Sequence, residues 1–438
     1  MDNDFVSMAE VLNNTIRGNL FKTNYHGNTE TANYLAHHFS PSLLLLAPFM
    51  YLSEYRLGYG YGMLFFNLLS IVTFSKLIWI KGFCGKSYEY ILIFFVLNLY
   101  VYRLFQAYHF ESLFLAFVLI LMLSIEKRNK ALFLIVYIIT LLLKEDTSIY
   151  LALLGLYYVF TRRTKIGLIL FLVSIVYFFY IVPHLMSIPE QSAKINWLAD
   201  WKHLGDSYIT IAKNVFLSPL DITHAFISKK DTLWELCLGF SFLFLFYPPI
   251  FIILLPIFSL HFLSERMWYN TFYNYYVYPI LPFLVYASIY SLEKLKTNFF
   301  IRNNFHLVIL FLLCISTYRG SLDVLYPFKT FPIDQERVQN VRLAVNQIPK
   351  GASVSAQFDL SGFIKRYNPI YPIRMDVSKL KDYVLLDTKE GFYPYLTKED
   401  IIDLEKQLTK GNSYLLIYKI KGIGLFKKLN NMKSEGNN

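Results

Sequence analysis

The sequence predicts an all-α polytopic membrane protein of about ten transmembrane helices, each needing roughly 20 residues to cross the hydrocarbon, with a small extracytoplasmic α/β domain at its C-terminal end. Three observations predict it. Of 438 residues, 55% are hydrophobic and 18% aromatic, and the mean hydropathy is +0.38, whereas ordinary globular chains reach about 45–50% apolar even with Gly counted. Apolar runs recur along residues 60–318, with Lys and Arg in the short connections between them. After Arg319 the character changes to alternating segments. The expected division is a transmembrane unit, 1–320, with residues 1–58 as its first outer loop, followed by a soluble α/β domain, 321–438.

The apolar runs lie near 60–80, 90–105, 111–125, 131–144, 148–161, 166–183, 235–247, 250–263, 277–292 and 305–318. Several fall short of the roughly 20 residues a crossing needs, so their polar ends are expected to be drawn into the membrane. Lys81, Lys86, Lys127, Arg128, Lys130, Arg162, Arg163, Lys165, Lys294, Lys296 and Arg302 occupy alternate short connections. The positive-inside rule makes those connections cytoplasmic. The opposite ones hold Arg103, Lys144 and Arg266, which leaves 1–58, 184–232 and everything after about 320 outside. The chain would then begin outside with no secretory signal or earlier span, so a further helix upstream of Met1, or an unusual translocation, is expected.

Three local patterns precede or interrupt the runs. SLLLLAPFMYL (42–52) is amphipathic and too short to span, as suits a helix lying in the interface. GYGYG (58–62) lacks the following Lys-Ser/Thr and the preceding strand of a phosphate loop, and reads as a flexible entry to the first run. Tyr273–Tyr278 suits the aromatic belt at a membrane surface. Cys84, Cys237 and Cys314 sit in or beside apolar stretches and offer no disulfide framework, which argues against redox chemistry. The net charge of +11 lies largely in the short connections, which points to topology and away from nucleic acid.

The tail reads as a helix around 335–348, a strand at 352–357, a short helix near 359–366 and a strand at 382–387. TKEDIIDLEKQL (397–408) opens with a helix start signal, and SYLLIYKI (413–420) closes the domain as a strand.

Chemistry concentrates in two clusters. Extending the short runs to membrane length carries Tyr108-His109-Phe110-Glu111 and Lys144-Glu145-Asp146 into the outer part of the bilayer. Ionisable groups at that depth are expensive unless they face water or one another. Both clusters fall on the outer side and could line one outward-facing cavity; the plainer alternative is interfacial charge that snorkels to water. The first outer segment adds Asp2, Asp4, Glu10, Arg17, His37 and His38, with helix N-terminal solvation as the alternative for Asp4.

The run Asp4-Phe5-Val6-Ser7-Met8-Ala9-Glu10-Val11-Leu12-Asn13-Asn14-Thr15 with Gly18, then His38-Phe39-Ser40-Pro41 before LLLLAP, His109-Phe110-Glu111 and Lys144-Glu145-Asp146 together resemble a bacterial family. It is a family of predicted membrane proteins grouped as a domain of unknown function, similar in architecture to GT-C glycosyltransferases. The resemblance covers most of the chain, including the Tyr276 region and the IPKGASVSAQ and DYVLLD segments. It implies that Asp4 is the acidic residue of the first outer loop, which GT-C enzymes use as catalytic base or metal ligand. The chain departs from the family pattern at Glu10, where Gln is expected, and lacks a helix before Asp4.

The resemblance implies transfer of a sugar from a polyprenyl-phosphate donor to an envelope acceptor on the outer face of a bacterial cytoplasmic membrane, with inversion. Asp4 would take the acceptor proton, and Lys144, Arg17 or His38 would neutralise the leaving phosphate. Glu145, Asp146 and His109 would orient the acceptor or hold a divalent cation. His37, Glu111 and Tyr276 complete the expected substrate contacts. Two other classes stand beside this one: a transporter or flippase, which would favour midplane charges and an inverted repeat, and a non-catalytic envelope scaffold that binds through its tail.

Overall fold

The computed structural model describes residues 3–24, 32–161, 163–187, 199–272, 274–298, 303–330, 334–389 and 396–429. Of the residues named above, Asp2, Arg162, Tyr273 and Arg302 lie outside the described residues, as do the side chains of Asp4, Asn274 and Arg319.

The chain is mostly helical, but the ten spans are not there. Among the described residues, two helices, Gly58–Ile80 and Thr164–Ser187, are long and apolar enough to cross a membrane. A third crossing is counted if Gly85–Val96 and Leu99–Gln106, bent by 50°, form one broken span. Asn98 makes that bend: its side chain caps the second helix at Tyr100 N, 3.0 Å, and donates to Gly239 O at 2.7 Å.

Most of the remaining apolar runs fold as short helices, among them Ser112–Glu126, Lys130–Leu141 and Thr147–Phe160. Ser112–Glu126 has 15 residues, about 22 Å of helix, against about 30 Å of hydrocarbon. Every residue from Ser112 to Ile125 except Ile120 is buried in protein. A helix apolar on all sides is so because it is enclosed, by protein or by lipid, and a run of apolar letters is the same in both cases. That ambiguity explains the excess of expected spans.

Close packing replaces length. The helix Thr147–Phe160 crosses Thr164–Val176 so tightly that a Cβ on Gly155 would stand 2.5 Å from Phe171 N, and one on Gly167 would stand 2.5 Å from Val159 N. GYGYG is likewise no flexible entry. It forms the first turn of Gly58–Ile80, and a Cβ on Gly58 would meet Phe49 O at 2.5 Å. The glycine lets the 3-10 helix Pro41–Leu52 lie directly on that turn, burying Leu43, Leu46 and Met50.

The tail carries a five-stranded sheet in the order Ile370–Pro372, Val354–Ala356, Tyr383–Asp387, Ile423–Lys428, Tyr414–Ile420. The first three strands are parallel, with Val354 opposite Ile370 and Tyr383, and the last two pair antiparallel. Tyr383–Asp387 is the central strand, buried throughout, hence its unbroken apolar character. Ile370–Pro372 and Ile423–Lys428 escaped the sequence reading: the first is short and ends on Pro, and the second follows its partner across a tight Lys421-Gly422 turn. The helix Lys398–Lys410 is opened by a capping box between Thr397 and Asp400 and packs Ile401, Leu404 and Leu408 on the sheet.

Arg56 ties the tail to the N-terminal helix Asn3–Ile16. Its fully buried guanidinium donates to Glu10 Oε2 at 2.7 and 3.1 Å, to Ile364 O at 2.8 Å and to Asn368 O at 2.9 Å. A buried cation survives when its donors are paired with charge and carbonyls in this way.

Candidate functional site

The site begins where two short helices start. Ser112–Glu126 is preceded by His109-Phe110-Glu111, and Thr147–Phe160 by Lys144-Glu145-Asp146. Tyr108, with φ of 48°, turns the chain sharply into the first of these. Because both helices are embedded, the charges at their beginnings are carried inside and must find one another.

They do. Lys144 Nζ donates to Glu111 Oε1 at 2.8 Å, and the ring of His109 is hydrogen-bonded through Nδ1 to Glu111 Oε2. All three side chains are nearly enclosed. His109 stacks on Tyr275, ring centroids 3.8 Å apart and planes 6° apart, and Tyr275 in turn stacks on Tyr276 at 4.4 Å. The ammonium of Lys144 also lies 5.4 Å from the centre of the Tyr278 ring.

The neighbouring carboxylates are held differently. Glu145 is saturated: His38 Nδ1 meets Oε1 at 2.8 Å and the Phe39 amide donates to Oε2 at 2.9 Å. His37 packs against the His38 ring at 4.5 Å. Asp146 Oδ2 accepts from the Tyr278 hydroxyl and, at 3.5 Å, from Tyr150, which lies one helical turn along the same helix. Among the described residues, Asp146 Oδ1 is buried with no hydrogen-bond partner. A buried carboxylate oxygen left open in this way is costly.

Burial raises the carboxyls of Glu145 and Asp146 above the usual range, with Lys144 pulling back against it. Burial by itself lowers the Lys144 ammonium, but Asp146 and Glu145 outweigh it and the net shift is upward. These groups sit in the connection before Thr147, outside both long helices.

Eight of the ten residues expected from the sequence thus have described side chains near one another: His37, His38, His109, Glu111, Lys144, Glu145, Asp146 and Tyr276. Arg17 is apart from them. It lies on the surface and donates to Arg366 O, joining the tail instead of the cluster, and partial burial, with Arg56 and Arg366 nearby, lowers its pKa. Asp4 lies in the N-terminal helix, and its side chain is outside the described residues. The next residue, Phe5, packs edge-on against Tyr59 at 5.1 Å and Tyr108 at 6.1 Å, beside His109 in sequence. Glu10, the departure from the family pattern, serves Arg56.

The sequence reading passed over Tyr150 and Tyr269, and gave Tyr275 and Tyr278 to the aromatic belt instead of the site. Tyr150 carried a signal, since four residues after Asp146 is one turn of a helix. Tyr269 did not: it reaches Tyr150 across the fold, hydroxyls 3.5 Å apart, and is stacked at 3.7 Å on the buried His261. Among the described residues, no three His, Cys, Asp or Glu side chains converge to hold a metal ion, so the expected divalent cation has no described ligand set.

No curated protein and no solved structure matches the chain. A family model does, over residues 8–415, which contain both charged clusters, the tyrosine wall and most of the tail sheet. The chain therefore belongs to the family described as "Predicted membrane protein (DUF2079)".

Proposed function

We propose that this membrane protein is an inverting glycosyltransferase that moves a sugar from a polyprenyl-phosphate donor to an envelope acceptor at the outer face of the bacterial cytoplasmic membrane. The observation that carries the reading is Asp146 Oδ1, an open carboxylate oxygen beside a buried ammonium and a wall of tyrosines. That oxygen can accept a hydrogen bond from a ligand, and a raised carboxyl beside a Lys is a frequent mark of chemistry.

In the proposed reaction an acceptor hydroxyl oxygen attacks the anomeric carbon, the bond from that carbon to the phosphate oxygen breaks, and the phosphate departs with the electron pair. Asp4 takes the hydroxyl proton, as a positioned carboxylate can. Asp146 Oδ1 receives the acceptor's hydrogen bond and orients it. Lys144 meets the charge that develops on the phosphate, already oriented by Glu111 and without solvent to reorganise. Glu145 fixes His38 and His37 at the edge of the site. Tyr276, at the end of the His109–Tyr275–Tyr276 stack, offers a ring face against which a sugar can lie. The lipid tail of the donor accounts for a transferase built into a membrane.

Full-length protein in lipid nanodiscs, given polyprenyl-phosphate sugars and a membrane acceptor extract, should transfer sugar. Asp4→Asn should lower the rate by about 10²-fold or more, the usual contribution of a proton-transfer group, and Asp146→Asn should lower it by disturbing the acceptor's placement. Normal transfer by Asp4→Asn would remove the assigned base. Movement of an unmodified solute across sealed vesicles, with no covalent product, would replace the enzyme with a transporter.

A further inference from the structure

Between the two groups of apolar helices the chain makes three short ones, Tyr208–Leu217, Pro219–Ser228 and Lys230–Gly239. Their inner face is occupied. Phe226 packs edge-on against Phe262 at 5.1 Å, and Leu236 is buried completely. Their outer face is not. Leu217, Leu220, Ile227 and Trp234 are 67, 73, 60 and 59% exposed. Leu220 and Ile227 stand two turns apart on Pro219–Ser228 and so share one side of it, and Trp234 is exposed on the next helix.

A soluble surface does not present a stripe of four large apolar side chains without a partner. The neighbours of this stripe name the partner. The helix Lys230–Gly239 packs on Phe305–Thr330, whose Phe311 is 65% exposed, and Pro219–Ser228 packs on Phe251–Phe262, whose Leu255 also points outward. Trp234 touches Phe242, 5.4 Å between rings, and the exposed Phe246 follows. The stripe thus stands on helices that themselves expose apolar side chains. Lys213, Lys229 and Lys230 flank it, and an indole stands at its end. Lys beside an apolar face, with a Trp at its margin, is the composition of a helix lying in a bilayer interface.

The geometry points to residues 208–234 as a lipid-docked unit: three short helices laid along the bilayer surface, with Leu217, Leu220, Ile227 and Trp234 in the acyl region and the lysines among the headgroups. The unit also abuts the site. The 3-10 turn Ala199–Leu204 precedes it, and there Trp201 packs edge-on against Tyr269 at 5.8 Å while Asp200 pairs with Arg266 at 3.1 Å. Docking to lipid would fix the tyrosine wall at a constant depth.

The test uses the whole protein in nanodiscs of phosphatidylethanolamine and phosphatidylglycerol that contain a phospholipid with a photoreactive group on its acyl chain. After irradiation, peptides covering 208–234 should carry adducts at a yield similar to those from Thr164–Ser187, and several-fold above their labelling by a water-soluble reagent of the same chemistry. Leu220→Glu with Ile227→Glu should cut the acyl adducts on this segment several-fold and leave those on Thr164–Ser187 unchanged. Labelling by the aqueous reagent alone would overturn the proposal. So would a bifunctional cross-linker that joins 208–234 of two copies in the same nanodiscs, which would make the stripe a dimer contact. Neither readout depends on catalysis, so the inference stands or falls apart from the proposed sugar transfer.

Discussion

The helix Ser112–Glu126 has a carboxylate at each end, Glu111 just before it and Glu126 as its last residue, and the two ends are finished in opposite ways. Glu126 accepts from Tyr290 at 2.7 Å, Tyr286 at 2.9 Å and Arg163 at 3.2 Å, and Arg163 itself is partly in solvent. Phenols supply most of the donors, no buried cation is required, and Glu126 does not appear among the buried atoms lacking a partner. Glu111 is matched instead by a buried ammonium and an imidazole, next to an aspartate with an open oxygen. One end is closed and cheap; the other holds charge inside the protein and leaves part of it unsatisfied. Buried ion pairs are often replaceable by apolar residues without loss of stability, so stability alone does not require this arrangement. The proposed site lies at this costlier end.

The widest test of this difference removes one cation from each end. Lys144→Met leaves Glu111 and Asp146 buried without their ammonium and should cost about 3–5 kcal/mol. Arg163→Met takes a half-exposed partner from a carboxylate that keeps two phenols, and should cost at most about 1 kcal/mol. Thermal unfolding of both variants in the same detergent measures the gap. Equal losses would erase the distinction between the ends.

A second test moves the frame instead of the charges. Lys144–Asp146 lead directly into Thr147–Phe160, whose position depends on the Gly155–Gly167 crossing. Gly155→Val forces the two helices apart and should cost about 1–3 kcal/mol, as overpacking does. If the proposed sugar transfer holds, it should fall further than stability does, because the groups proposed to act are remote from the change and only their placement shifts. The phenols then give a finer comparison. Tyr290→Phe removes one of three donors to Glu126 and should cost about 1 kcal/mol. Tyr278→Phe removes the shorter of two contacts to Asp146 and should cost a similar amount in stability, with a larger loss of activity. Equal activity in the two variants would deny Asp146 its role.

How much of this was legible beforehand depends on range. Lys144-Glu145-Asp146 and His109-Phe110-Glu111 stand out because charges flanking apolar runs demand an explanation, and helix spacing would have added Tyr150. Thr397 and Asp400 announce their helix by local chemistry alone. Arg56 was invisible, since its partners Glu10, Ile364 and Asn368 lie far away in the chain. Tyr269 was invisible for the same reason. The number of spans was misread because hydrophobicity reports enclosure and not the identity of what encloses, and Ser112–Glu126 is enclosed by protein. GYGYG was misread because a glycine that permits contact and one that permits bending look the same until the neighbour is known.

The smallest effect is also the one whose sign separates the ends. Tyrosine hydroxyls, Lys81 and Arg163 outweigh burial at Glu126 and hold its carboxyl below the ordinary value of 4.5. A depressed carboxyl contributes stability that is present above its unfolded value and is lost as pH falls through its folded one. Burial prevails at Glu145 and Asp146, whose carboxyls are raised. The fold penalises their ionised forms, so their contribution becomes less favourable as pH rises from the unfolded values of about 4 through the raised ones. Glu126→Gln should therefore flatten the acid limb of a stability–pH curve, while Glu145→Gln and Asp146→Asn should flatten a decline on the higher side. Glu126 is partly solvated, so its share is the smaller and is read best as a difference between curves at low ionic strength, where screening is weakest. Curves that bend the same way in all three variants would mean that the two ends hold their carboxylates by the same physics.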